Sequence, residues 1–155
     1  MEIKIGKGIG AVRFGMQEKK VLELLGPADE LDVSEEIDGT VTRTLEYYDL
    51  GLSFSFDSDD GDKLSSIALS DKDRDFHGLR IGINKEEVLT IASNTDWGEP
   101  EYDDLSYDDA FSLEVIMYDK ISLSVWLEDN EVTEIEFGPI WADEDTIIWP
   151  DLNMN

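Results

Sequence analysis

The sequence predicts an α+β protein made of two tandem repeats, each a helix followed by an antiparallel meander of strands, with the helices packed on one face of the sheet or sheets. Two observations lead to this fold class. Residues 12–25 (VRFGMQEKKVLELL) align without gaps to residues 79–92 (LRIGINKEEVLTIA). After each of these segments, apolar and polar residues alternate with the period of two that is typical of half-buried strands. We therefore assign repeat 1 to residues 1–75 and repeat 2 to residues 76–155.

Each repeat is expected to open with an extended lead-in, a glycine and a short amphipathic helix. In the first copy the apolar residues between 21 and 25 fall at helical spacing, and Gly26-Pro27 ends the helix. In the second copy Asn84 is followed three residues later by Glu87, which is the pattern of a capping box. The first copy lacks this pattern, so its helix should start with a weaker cap.

The later half of each repeat is expected to form three strands. The predicted strands are residues 44–48, 52–57 and 64–69 in the first repeat, and 113–118, 123–128 and 132–137 in the second. A long acidic insert, residues 93–111, separates helix and sheet in the second repeat. The tail after Gly138 is rich in tryptophan and isoleucine, so it should pack back on the protein.

The charge of the chain limits its partners. The 155 residues contain 38 acids and 12 bases, a net charge of -26, and residues 86–155 hold 20 of the acids and a single base, Lys120. Such a field repels nucleic acid and anionic membranes, and it attracts a basic protein. The alternative explanation is that acidity serves solubility alone. The start of the chain does not resemble a signal peptide and no segment has the length of a membrane span, so we expect a cytoplasmic protein.

Catalytic and metal-binding motifs are absent from the sequence. There is no cysteine, and the single histidine, His77, falls in the charged linker between the repeats. Four aspartates crowd residues 57–62, but from Asp57 the glycine is fifth and Ala68 is twelfth, so the spacing of an EF-hand fails. A solvated hairpin is the preferred interpretation, with adventitious Ca²⁺ binding and an acid-dependent hydrolase as weaker alternatives. We expect no enzyme activity, no cofactor and no metal.

One segment carries a resemblance to a known fold. Residues 8–30, GIGAVRFGMQEKKVLELLGPADE, resemble the opening of the small outer-membrane-lipoprotein fold, and the tandem arrangement is similar to β-lactamase inhibitor proteins. The resemblance implies a sheet whose open face grips a protein partner. The sequence departs from the lipoproteins because it has no cysteine to carry lipid. In charge and size it also resembles the immunity proteins of bacterial toxin systems.

Strand alternation predicts a binding face in the second repeat. If Leu123, Val125 and Leu127 point to the helices, the residues between them point outward. If the odd-numbered residues of strand 113–118 also point inward, its even-numbered residues join the outward face. The predicted partner-binding residues are Trp126, Tyr118, Glu114, Glu128, Glu134 and Glu136. The predicted function is a non-catalytic immunity or inhibitor protein that blocks a basic, nuclease-like toxin by occlusion; the alternative is a housekeeping binding or scaffold domain that is acidic for solubility.

Overall fold

The computed structural model describes residues 1–106 and 111–152, and the protein is mostly β. Among the described residues, about 45% lie in strands or isolated β-bridges and about 14% lie in α- or 3₁₀-helices. The only α-helices among the described residues are α1 (Glu18–Leu25) and α2 (Lys85–Asn94). The α+β prediction, with helices packed on the sheet, is therefore wrong.

The strands exceed the predicted number because short and acidic ones were not recognised. In chain order they are β1 (Ile3–Lys4), β2 (Gly8–Ile9), β3 (Val12–Arg13), β4 (Glu30–Glu35), β5 (Val41–Tyr47), β6 (Leu52–Asp57), β7 (Lys63–Leu69), β8 (Glu101–Asp104), β9 (Leu113–Tyr118), β10 (Leu123–Glu128), β11 (Glu131–Phe137), β12 (Ile140–Trp141) and β13 (Ile147–Ile148). Strands β4 to β7 are neighbours in the order β4-β5-β6-β7, and strands β8 to β11 are neighbours in the order β11-β10-β9-β8. All six predicted strands are present within a few residues of their expected bounds.

The chain divides into two compact units whose bounds differ from the predicted repeats. The first comprises residues 1–68 together with the segment that begins at Gly138, and the second comprises residues 69–137. The tail packs with the first unit, where Gly6 bridges to Pro139 and Lys63 Nζ lies 5.1 Å from the centre of the Trp149 ring. Sequence similarity between the copies could not show this, because the tail has no counterpart in the first copy.

The two aligned lead-in segments make the same hydrogen bonds in their own units. The Gly15 amide donates to the Leu64 carbonyl at 2.9 Å, and the Gly82 amide donates to the Val132 carbonyl at 2.8 Å. Both glycines have positive φ, +94° and +100°, a conformation that disfavours other residues. Each glycine therefore turns the chain so that the start of the helix is tied to the last strand of the meander.

The helix caps follow the sequence. Asn84 accepts a hydrogen bond from the Glu87 amide, and the Glu87 side chain accepts one from the Asn84 amide, so the predicted capping box is confirmed. In the first unit Gln17 occupies the N-cap of α1 without a capping hydrogen bond, and Gly26 ends the helix with φ of +85°.

The edge strands β4 and β8 were not predicted from the sequence. Every residue of both strands is exposed. The short acidic sequence of β8 shows no apolar alternation, and in β4 the alternating residues Leu31 and Val33 are exposed rather than buried. The fully exposed sequences ELDVSE and EYDD instead carry the charges that discourage edge-to-edge aggregation.

Candidate functional site

The outer face of the second unit is the candidate site. In an antiparallel sheet, residues directly opposite each other share a face. One row across β8, β9, β10 and β11 consists of Asp103, Val115, Trp126 and Glu134. The next row consists of Glu101, Met117, Ser124 and Glu136, and a third row joins Leu113, Glu128 and Glu131. We call these eleven residues the Trp126 face.

The Trp126 face has an apolar centre with carboxylates around it. Val115 is 4% exposed, and Leu113, Met117 and Trp126 are half-buried. On both sides of this centre lie Glu101, Asp103, Glu128 and Glu131, all exposed, and the half-buried Glu134 and Glu136. Strands β8 to β11 contain no lysine or arginine, so every charged residue that these strands contribute to the face is acidic.

The indole of Trp126 carries an unsatisfied donor. Its Nε1 is buried and has no hydrogen-bond partner within the described part of the chain. Leaving a buried N–H unpaired costs about 1–3 kcal/mol, so the indole Nε1 lowers the stability of the folded protein.

Four of the six predicted binding residues belong to this face, and two do not. Trp126 lies opposite Glu134, and the same face carries Glu128 and Glu136. Tyr118 is only 1% exposed, because it lies opposite Leu123 on the other face and packs edge-on against Trp97 at 5.4 Å between ring centres. The assignment of Tyr118 to the outer face is wrong.

Glu114 is likewise on the opposite face. It lies opposite Leu127 and accepts a hydrogen bond from Lys85 Nζ at 3.4 Å. Lys85 also lies over the ring of Tyr102, 5.3 Å from its centre. Lys85 therefore makes its contacts on the face of the sheet opposite to Trp126.

The error arises from a single strand. Val115, Ile116 and Met117 are all apolar. The sequence of β9 therefore does not show whether its odd-numbered or its even-numbered residues are buried. If the buried positions of a strand are assigned one residue out of register, every side chain is placed on the wrong face of the sheet. In the structure Ile116 and Tyr118 face the core, which brings Val115 and Met117 to the candidate site in place of Glu114 and Tyr118.

The aspartate-rich turn serves the local fold. Asp57 caps the 3₁₀ turn Ser58–Asp60 by accepting from the Asp59 amide at 2.9 Å, and the Asp59 carboxylate accepts from the Thr40 hydroxyl at 2.9 Å. Burial, followed by the charges of Asp57 and Asp59, raises the pKa of Asp60. Over residues 1–106 and 111–152, no group of three or more acidic or histidine side chains is arranged to hold a metal ion.

His77 and the two helices are further features that bear on the predictions from the sequence. His77 is exposed with φ of +56°, and its ring contacts Phe76 at 4.6 Å between centres. No helix in the described ranges has the length and apolar character needed to cross a membrane.

Comparison with known proteins finds little similarity. No protein-family model matches the chain, and no curated protein matches it. A solved structure of an extracellular protein containing an SCP domain from Bacillus anthracis str. Ames is similar with a TM-score of 0.45 and 10% sequence identity. The similarity covers 89% of this chain and 50% of that protein, so the chain spans about half its length. A TM-score this low does not establish a common fold.

Proposed function

We propose that the chain is a non-catalytic protein-binding module that holds a basic protein on the Trp126 face. The observation that carries this proposal is the arrangement of Val115, Met117 and Trp126 between rows of carboxylates on strands that contain no basic residue. Within this class, the function that fits best is an immunity or inhibitor protein that neutralises a nuclease-like toxin by occlusion.

The apolar centre and the carboxylates would act on different steps of binding. A large aromatic side chain at the centre of an interface contributes about 2 kcal/mol or more when a partner removes it from water. Carboxylates at the rim accelerate encounter with a cationic surface and have less effect on dissociation. Residues 69–137 contain 19 acids and 5 bases, so the whole unit contributes to this attraction.

A nuclease is a suitable partner for physical reasons. Its active cleft must attract phosphate groups and is therefore positive, so a negative sheet competes with the nucleic acid directly. Such an inhibitor would act in the cytoplasm of a bacterial cell and would need no cofactor or metal. The same field would exclude nucleic acids and anionic membranes as partners of the chain itself.

The experiment measures binding to a panel of purified cationic nuclease-toxin domains. The double variant Glu101→Lys/Asp103→Lys alters two exposed carboxylates of the Trp126 face, and Glu99→Lys/Asp119→Lys makes the same change of charge at exposed positions outside strands β8 to β11. We expect the first variant to slow association by about tenfold at low salt and to flatten its salt dependence, with a smaller effect from the control.

Removing the aromatic anchor tests the other half of the proposal. Trp126→Ala should accelerate dissociation by roughly thirtyfold, which corresponds to about 2 kcal/mol, with little change in the association rate. Circular dichroism would verify that the variant is folded. Equal slowing of association by both charge variants would favour an acidic protein whose charge serves solubility, and a panel without any inhibited nuclease would refute the inhibitor function.

A further inference from the structure

The first unit contains a pocket of opposite character to the Trp126 face. Its volume is about 430 Å³, and its lining residues are Lys4, Gly10, Ala11, Arg13, Met16, Lys20, Leu24 and Leu152. Three of these eight residues are basic and none is acidic, although acids outnumber bases by 38 to 12 in the whole chain. We call it the basic pocket.

Arg13 lies in this pocket as a buried cation without a counter-ion. It is 6% exposed, and its Nη1 donates to the carbonyl oxygens of Gly10 at 2.5 Å and of Val12 at 3.1 Å. Throughout residues 1–106 and 111–152, no carboxylate forms an ion pair with it. A buried charge without a counter-ion is destabilising, so an anion bound beside this guanidinium would remove part of that cost.

The two lysines of the pocket are also weakly paired. Lys20 reaches Glu23 only at 3.8 Å, with both side chains 55% exposed, and exposed pairs of this kind contribute little. Lys4 forms no ion pair with any described residue. Three positive charges therefore line one concavity with little neutralisation from the protein.

Apolar surface lies beside these charges. Met16 is 6% exposed, whereas Leu24 and Leu152 are 40% and 47% exposed, and all three line the pocket. A hydrated inorganic anion would leave this surface in water. A ligand that combines an anionic head with an apolar chain would cover it.

The second copy of the repeat provides an internal comparison. Its arginine at the equivalent position, Arg80, is exposed, and the residue equivalent to Lys20 is Glu87. The cleft beside α2 is lined by Asn84, Glu86, Glu87, Thr90 and Ile91, and so it is acidic. The buried arginine and the cluster of cations are thus features of the first copy and not requirements of the shared scaffold.

We propose that the basic pocket binds a small organic anion with an apolar tail, with a carboxylate or a phosphate monoester as its head. The head would be held by Arg13, Lys20 and Lys4, and the tail would lie against Met16, Leu24 and Leu152. The guanidinium supplies the forked donors that suit either oxyanion. The volume falls in the range of about 300–1,000 Å³ that is typical of small-molecule sites. This site is independent of the proposed function, since none of its residues belongs to the Trp126 face.

The experiment is a calorimetric titration of the full chain, with NMR amide shifts to locate the ligand. The probes are octanoate and octyl phosphate, and octanol and inorganic phosphate are the controls that carry only a tail or only a head. We expect one saturable site for at least one amphiphilic anion, shifts at Gly10, Ala11 and Leu152, and binding of each control weaker by about tenfold or more.

Variants separate the pocket from the charge of the chain. Lys20→Glu introduces the residue of the second copy and should weaken binding by about tenfold or more, and Arg13→Gln should do the same. Arg80→Gln, which removes one positive charge at the equivalent exposed position, should leave affinity within about twofold. If Arg13→Gln does not fold, Lys4→Gln/Lys20→Gln tests the site at less buried positions.

Three results would overturn the proposal. The first is the absence of saturable binding of either amphiphile up to about 10 mM, a concentration that corresponds to negligible affinity. The second is retention of full affinity in Lys20→Glu. The third is an equal loss of affinity in Arg80→Gln, which would indicate a response to overall charge.

Discussion

Replacing Tyr118 with phenylalanine tests the orientation of β9 and should stabilise the protein. The Tyr118 hydroxyl is buried without a hydrogen-bond partner in the described residues, and the residue is 1% exposed. Since an unsatisfied buried polar group costs about 1–3 kcal/mol, Tyr118→Phe should raise the free energy of unfolding by about 1 kcal/mol. For a chain of this size the melting temperature should rise by about 2–4 °C.

Tyr47 is a matched control on the equivalent strand of the first unit. Tyr47 lies opposite Leu52 as Tyr118 lies opposite Leu123, and it is 6% exposed. Its hydroxyl, however, donates to the Gly26 carbonyl at 2.8 Å. Tyr47→Phe should therefore destabilise the protein by about 1 kcal/mol, and the two substitutions should have effects of opposite sign.

Alkaline pH gives a second signature of the same residue. Burial, and then the electrostatic interaction with Tyr102, raises the pKa of Tyr118 from 10.0 to about 12. Below pH 10 both the folded and the unfolded state keep the proton, but between pH 10 and 12 only the folded state keeps it. Unfolding is then favoured, and the wild-type protein should lose about 2 kcal/mol by pH 12 that Tyr118→Phe does not lose.

The assay is urea unfolding at neutral pH and at intervals up to pH 12, with the slope m compared between proteins to verify that the same surface is exposed. A loss of stability in Tyr118→Phe at neutral pH, similar to that of Tyr47→Phe, would show that the Tyr118 hydroxyl is hydrogen-bonded. Identical alkaline profiles of wild-type protein and Tyr118→Phe would show that the hydroxyl is exposed, as the sequence pattern alone suggested.

Two further pairs of variants compare the copies of the repeat by urea unfolding. Gly15→Ala and Gly82→Ala should each lower the free energy of unfolding by about 1–3 kcal/mol because both glycines have positive φ. Gly15→Ala should cost more, because its Cβ would lie 3.3 Å from the Trp149 ring, whereas the Cβ at Gly82 would meet only the flexible Glu131 carboxylate at 3.7 Å. Equal costs would contradict the close packing of the tail. Asn84→Ala removes the capping box and should cost about 1 kcal/mol, whereas Gln17→Ala, which has no capping hydrogen bond to lose, should cost less than about 0.5 kcal/mol. Similar losses in this second pair would show that the cap of α2 contributes nothing of its own.

The candidate site could be predicted in part because some strands carry an unambiguous pattern. In β10 every second residue from Leu123 to Leu127 is apolar, and the residues between include Ser124 and Trp126. Leu123, Val125 and Leu127 can all be buried only if the odd-numbered residues face the core. The outward position of Trp126 therefore follows from the alternation. Strand β9 lacks such a pattern, and the residues predicted from it were wrong for that reason.

The elements that escaped prediction depend on partners distant in the sequence. Strand β8 has no buried residue, so its only signal as a strand is backbone pairing with β9. The basic pocket likewise joins Lys4 to Leu152 through the fold, and no local pattern links residues so far apart.

The sequence by itself determined the six central strands, both helices with their caps, and the negative charge of the second unit, because propensity, alternation and charge are properties of neighbouring residues. The tertiary structure decided which face of β9 is buried, where the edge strands pair, which unit receives the tail, and that Arg13 is enclosed while Arg80 is exposed. These features follow from hydrogen bonds and packing between distant segments, and the chain minimises their free energy jointly rather than segment by segment.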